Sequence, residues 1–189
     1  ALFSELDKGI ANLKTAQAQL KLYKQAVLKW AFEGKLTNPQ LAQQTDNPNT
    51  LPEGWKWVKV MDIGRIETGS TPSKANPNFY SSDFPFYKPT DLSAGNVWKA
   101  SDNLSKEGIK QARFLPENSI LVTCIGATIG KTGIIRRAGA CNQQINAIIP
   151  TKEHNPNFVY YQVIAPKFQE AIKNNASATT LPILNKSKF

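Results

Sequence analysis

A seam of spaced apolar residues runs through the first 32 positions and limits what this chain can fold into. Phe3, Leu6, Ile10, Leu13, Gln17, Leu20, Lys24, Val27 and Ala31 follow one another at alternating steps of three and four. Side chains at that spacing share one helix face, and the heptad form of the pattern belongs to helices that pack lengthwise against another helix. Ser4, with Asp7 three residues on, marks the start, and Gly34 marks the stop. A helix of about 30 residues at ~1.5 Å each is a rod of ~45 Å, more than a small domain can bury along one side. A partner helix is expected, from elsewhere in a longer parent chain or from another subunit. Phe3, Leu6, Ile10, Leu13, Leu20 and Val27 are the expected helix-pairing residues. Gln17 and Lys24 on the seam weaken it and fix its register. A second stripe of Ala16, Leu20, Tyr23, Val27 and Trp30 widens the apolar face. The alternative is a terminal helix folded back on its own head.

Beyond this rod the composition changes. Residues 37–54, with Asn38-Pro39, Asn47-Pro48, Pro52 and Gly54, read as a linker. The expected division is therefore a coiled-coil-type helix over 1–36, a linker over 37–54, a globular head over 55–180 and the start of a truncated distal segment over 181–189. In the head, Trp55–Val60 alternates like a strand, Ile120–Ile125 reads as a buried strand, and Thr132–Arg137 and Gln144–Ile149 read as two more. Asn155-Pro156 opens a helix through Phe158, Tyr161, Ala165, Phe168 and Ile172, offset or broken at Pro166. The fold class is α+β: a long helix, then a mixed α/β head with twisted, mainly antiparallel strands.

The net charge of +9 is unevenly placed. Residues 1–52 carry six lysines against four acids, and residues 53–189 carry seventeen Lys/Arg against ten. A basic head suits a polyanion such as nucleic acid, or an acidic membrane face; an uninformative basic surface is the bland reading. Cys124 and Cys141 are the two cysteines and His154 the one histidine. They offer no metal spacing and no disulfide framework, which fits a reducing cytosol. No apolar run approaches the ~20 residues of a membrane span. No paired-carboxylate, nucleophile or Asn/Asp-Pro-Pro-Tyr/Phe methylase motif is present, so no catalytic apparatus is expected.

Four segments carry candidate contacts. The stretch Gly69–Asn103 is rich in Pro, Ser, Gly, Asn and aromatics, and loops of that length tend to be functional. Within it, Ser70, Thr71, Ser73, Lys74, Tyr87, Lys88 and Thr90 mix hydroxyls, cations and an exposed-looking aromatic, as phosphates and base edges require. Gly126-Ala-Thr-Ile-Gly130-Lys131-Thr132 is one residue short of a phosphate-binding P-loop and runs on into a strand, which argues against ATP. It reads instead as a glycine hairpin bringing backbone amides and Lys131 to a surface, or as a plain tight turn. Lys106, Lys110 and Arg113 recur at helix-like spacing, as one face of a basic patch or as a solvated face. In Asn142-Gln143-Gln144-Ile145-Asn146, Gln143 is the candidate base reader, since an amide pairs with adenine through two hydrogen bonds. The inward members of that run are expected to satisfy backbone groups.

Several runs then resemble one family. Leu51-Pro-Glu-Gly-Trp-Lys-Trp57, Phe86-Tyr-Lys-Pro-Thr-Asp-Leu92, Leu121-Val-Thr-Cys-Ile-Gly-Ala-Thr-Ile-Gly-Lys-Thr-Gly133 and Cys141-Asn-Gln-Gln-Ile-Asn-Ala147 look like a target recognition domain from the DNA-specificity subunit of type I restriction–modification systems. Leu22–Thr37 is similar to the end of that family's central spacer helix, and Thr179–Asn185 to the run into its second. The resemblance implies one spacer helix plus one recognition domain, as a fragment or a natural half-subunit. It implies a non-catalytic reader of double-stranded DNA that positions a modification (methyltransferase) subunit and a restriction subunit on a bipartite target. It implies no cofactor bound by this chain; S-adenosylmethionine, ATP and Mg belong to the partner subunits. A homodimer through residues 3–32 is expected if the chain is a half-subunit. The rivals are a protein-assembly module and a single-strand binder that stacks bases on Tyr80, Phe86, Tyr87 and Trp98.

Overall fold

The structure is a computed structural model that describes residues 2–37, 51, 53–92, 95–177 and 182–189. The linker assigned to 37–54 lies almost wholly outside the described residues, as does the first part of the Thr179–Asn185 run. The chain divides into two compact units, residues 1–56 and 57–189.

The first unit is dominated by helix α1, Leu2–Phe32. Its C-terminus closes as the sequence predicts: Gly34 sits at φ +72°, a left-handed position that costs glycine no Cβ clash. The Gly34 amide donates to the Ala31 carbonyl and the Lys35 amide to that of Trp30, so the last turn's acceptors are filled. Phe3, Leu6, Ile10, Leu13 and Leu20 are exposed, Leu13 by 73%, and Val27 is half-buried.

The second unit is layered. Five strands form one sheet in the order β1 (Gly64–Thr68), β8 (Ile145–Pro150), β5 (Ile120–Thr123), β6 (Thr132–Ile135) and β3 (Asn96–Val97). Three more form a second sheet, β4 (Asp102–Leu104), β2 (Tyr80–Tyr87) and β7 (Ala140–Cys141). Pairing is antiparallel except between β3 and β6 and between β2 and β7. The continuous apolar runs of β5 and β8 follow from burial on both faces. Ile120, Val122 and Ile148 face helices α4 (Pro156–Ile164) and α5 (Pro166–Asn175), against Val159, Tyr160, Val163 and Ile172. Leu121, Ile145 and Ala147 face the other way, against Tyr87, Leu92, Leu115 and Cys141 beneath the second sheet. Phe86, Leu104 and Ala140 form the outermost cluster, with Ile109 of helix α3 (Gly108–Gln111) packed on it. Each fully buried aliphatic side chain contributes about 1.5–3 kcal/mol, so this alternation decides the register of the central strands.

Two expectations need correction. Residues 55–59 form no strand; the chain instead turns into helix α2 (Val60–Ile63), where the Lys59 amide donates to the Asp62 carboxylate at 2.9 Å. That local bond gives the backbone an alternative to a sheet ladder, and pairing begins only at Gly64. Of residues 181–189, expected to start a distal segment, the described part, 182–189, belongs to the head. Leu184 is buried in the helix-side core, its amide donates to the Cys124 carbonyl at 2.8 Å, and Phe189 meets Phe168 edge to face.

Candidate nucleic-acid interface

The site residues fall into two neighbourhoods, built by different means. The first is a polar seam where the chain leaves β1 and meets the segment entering β8. The Gly69 amide donates to the Ile145 carbonyl and the Ser70 amide to that of Cys141. A Cβ at Gly69 would overlap the Cys141 and Asn142 carbonyls, so only glycine lets the two backbones approach this closely. Above this weld the side chains pair off. The Thr68 hydroxyl donates to Asn146 Oδ1 at 2.7 Å, and Asn142 Nδ2 donates to Gln144 Oε1 at 2.9 Å. The Arg113 amide donates to Ser70 Oγ, and the Thr71 hydroxyl donates to Gln143 Oε1 at 2.6 Å. Ser70, Thr71, Arg113 and Gln143, distant in sequence, are thus brought together. The outward members, Thr71 and Gln143, are exposed.

The second neighbourhood is a trough around Tyr80. One part, of about 500 Å³, is lined by Lys74, Tyr80, Ser101, Asp102 and Asn103. A second part, also about 500 Å³, shares Pro77 and Tyr80 and adds Ser105 and Lys106. The Tyr80 hydroxyl is anchored to the Pro72 carbonyl at 2.8 Å, and burial, then the Asp102 carboxylate, push its phenol up from the usual range. It stays neutral at physiological pH. Lys74, Lys106 and Lys110 are exposed, and none forms an ion pair with a described residue. Ser73 is exposed too, its Oγ accepting from the Ala75 amide. Beside the trough, Asp91 accepts from the Lys88 and Ser101 amides, and Lys131 Nζ reaches the Thr90 carbonyl at 3.5 Å. Thr90, Lys131 and Lys88 therefore share one corner.

Comparison with known proteins decides what carries these features. Residues 52–189 match the family model described as "Type I restriction modification DNA specificity domain". The chain belongs to that family. This specificity domain is 37% identical over 143 residues to the HindI type I restriction enzyme specificity subunit of Haemophilus influenzae, covering 74% of this chain and 31% of that protein. It is 28% identical over 142 residues to the MjaIX specificity subunit of Methanocaldococcus jannaschii, covering 72% of this chain and 33% of that one. The chain spans about a third of the length of these curated relatives. Its fold resembles the HsdS subunit of Thermoanaerobacter tengcongensis, with TM-score 0.55 at 14% identity over 92% of this chain and 44% of that one. It also resembles a chain from a type I restriction–modification assembly, with TM-score 0.57 at 16% identity over 95% of this chain and 44% of that one.

Within the specificity domain, four site expectations change. Tyr87 is fully buried and its hydroxyl donates to the Arg137 carbonyl at 2.9 Å; burial pushes its pKa to about 12. It is a core residue, as is Phe86, and neither ring is available for stacking. Lys88 is ion-paired with Asp102, so its charge is already answered. Arg113 does not share a basic face with Lys106 and Lys110. Its guanidinium donates to the Thr68 carbonyl at 2.6 Å and pairs with Glu67 at 3.3 Å, while Glu67 also holds Arg65. The glycine hairpin is a tight turn, with four of its amides given to backbone acceptors: Gly126 donates to Pro182, Ile129 to Gly126, Gly130 to Thr123 and Lys131 to Thr128. Asp102 and Asn103 also line the trough and were not among the expected contacts, since the three-residue strand that presents them is too short to leave a periodic pattern.

Among the described residues, no cluster of three His, Cys, Asp or Glu side chains lies close enough to hold a metal, and no helix is long and apolar enough to cross a membrane.

Proposed function

We propose that this chain is the DNA-reading part of a type I specificity subunit, acting on double-stranded DNA in the cytoplasm and doing no chemistry itself. The observation that carries this reading is the pairing of a specificity-domain match over 52–189 with exposed Lys74, Lys106 and Lys110, which form no ion pair with a described residue, and with an exposed hydroxyl–amide pair, Thr71 and Gln143. Lysines at a trough hold phosphates without regard to sequence, whereas uncharged donors and acceptors on a rigid platform discriminate base edges. The relatives are named as specificity subunits of type I restriction enzymes. In this reading the chain bears a modification subunit that uses S-adenosylmethionine and a restriction subunit that uses ATP and Mg, and it binds none of these cofactors itself.

Affinity for matched duplex and single-stranded DNA, measured at about 0.1 M and 0.3 M salt, tests the assignment. Duplex should bind more tightly at both, with affinity falling steeply as salt rises, because each phosphate neutralised releases condensed counterions. Equal or stronger single-strand binding would favour a stacking surface on exposed Trp98 instead.

Helix α1 leaves Phe3, Leu6, Ile10, Leu13 and Leu20 uncovered on one face. In this reading that face takes a second long helix, and in the isolated 189-residue chain the helix comes from a second copy. Light scattering at micromolar concentration should report twice the chain's mass. A monomer there would rule out pairing between copies.

A further inference from the structure

The seam between β1 and β8 holds seven side-chain amides and hydroxyls, and five of them turn inward. Thr68 and Asn146 satisfy each other, Asn142 and Gln144 satisfy each other, and Ser70 accepts from the Arg113 amide. Thr71 and Gln143 break that pattern: both are exposed, yet the hydroxyl donates to the amide oxygen. Water would serve either group as well, so a surface pair of this kind adds little stability. What it does is hold a long side chain in one orientation. With one lone pair of Oε1 taken by Thr71, Gln143 presents its second lone pair and both Nε2 hydrogens outward. That is the complement of an adenine edge in the major groove, where N6 donates and N7 accepts. The backbone beneath is equally fixed, since Gly69 is pressed against the Cys141 and Asn142 carbonyls and Ser70 is bonded to Cys141. A side chain ordered before binding loses less conformational freedom when it binds.

We propose that Gln143 reads one adenine of the target and that Thr71 is the positioning residue that orients its amide. This rests on the DNA-reading function proposed above and assigns one base to one side chain within it. The test uses the subunit assembled with its methyltransferase partner and a pool of duplexes with a randomised core, reading both bound sequences and total affinity. Gln143→Ala should erase the preference at one A·T pair, by about tenfold or more, and leave the other positions intact. Thr71→Val should weaken preference at the same pair by a smaller factor, and Thr71→Ser, which keeps the hydroxyl, should restore it. The double variant should be no worse than Gln143→Ala alone, because the two residues act as one unit.

A uniform loss across all sequences for Gln143→Ala would make the residue a phosphate or backbone contact and overturn the assignment. So would lost preference at a G·C pair, or unchanged preference in a variant that still depends on Lys74 and Lys106 for duplex binding; both leave the DNA-reading function standing. Absence of any sequence preference in the unsubstituted complex would overturn that function as well.

Discussion

Replacing Lys74, Lys106 and Lys110 together with alanine should weaken binding to every duplex by on the order of 10²-fold at ~0.1 M salt and lower the salt slope by about three. These lysines are exposed, two of them line the trough around Tyr80, and no described carboxylate pairs with them. Phosphates can therefore take their ammonium groups without first breaking an ion pair with a described residue. Lys88 gives the contrast. Because Asp102 already holds it, Asp102→Asn should raise affinity by releasing a cation beside the trough. Fluorescence anisotropy across a salt series reads both effects. Should the triple variant keep the parental slope, the trough does not hold phosphates and the contact face lies elsewhere on the head.

Gly69→Ala should cost the head roughly 3 kcal/mol and lower its melting temperature by about 10 °C. The added Cβ would overlap the carbonyls of Cys141 and Asn142, and these are backbone atoms locked in the seam, with no rotamer to swing away. Relief requires the chain after β1 to lift from the entry to β8, which breaks the bonds from Gly69 to Ile145 and from Ser70 to Cys141. The same movement would carry Thr71 away from Gln143. Sequence preference should therefore fall along with stability, a coupling that a purely structural glycine would not display. Differential scanning calorimetry gives the first number. An unchanged melting temperature would mean that the two backbones do not pack so closely in solution.

Local periodicity explains which elements were legible. α1 was readable because its apolar residues repeat at the helical step over 31 residues. β5 and β8 were readable because burial on both faces makes them continuous apolar runs. α4 and α5 were readable because proline fixed both starts, at Pro156 and Pro166, with Asn155 capping the first. β2 was not. It pairs with β4 through a register shift between Tyr80 and Phe84, and Ser81, Ser82 and Asp83 occupy that irregular part, so no two-residue alternation survives. Conversely, Trp55–Val60 alternates convincingly, yet residues 55–59 form no strand and Val60 opens α2, since alternation records a pattern and not a neighbour.

The site followed the same division. Gln143 could be singled out because a run of amides is a local feature of the sequence, and it is exposed in the structure. The fates of Lys88 and Arg113 depended on Asp102 and Glu67, acids that only the folded topology brings within reach. Tyr87 was misplaced because an aromatic among prolines and polar residues looks like a surface residue until the sheet that covers it is known.

The two thiols also have a practical consequence. Cys124 and Cys141 lie on opposite sides of the five-stranded sheet, inside separate apolar layers. Burial pushes their pKa values to about 11 and about 12, so each remains protonated and shielded at neutral pH. Alkylating dyes act on thiolate, and neither sulfur offers any. A single cysteine introduced on the exposed face of α1 would thus take up a fluorophore alone, and the native chain serves as its own silent background for distance measurements.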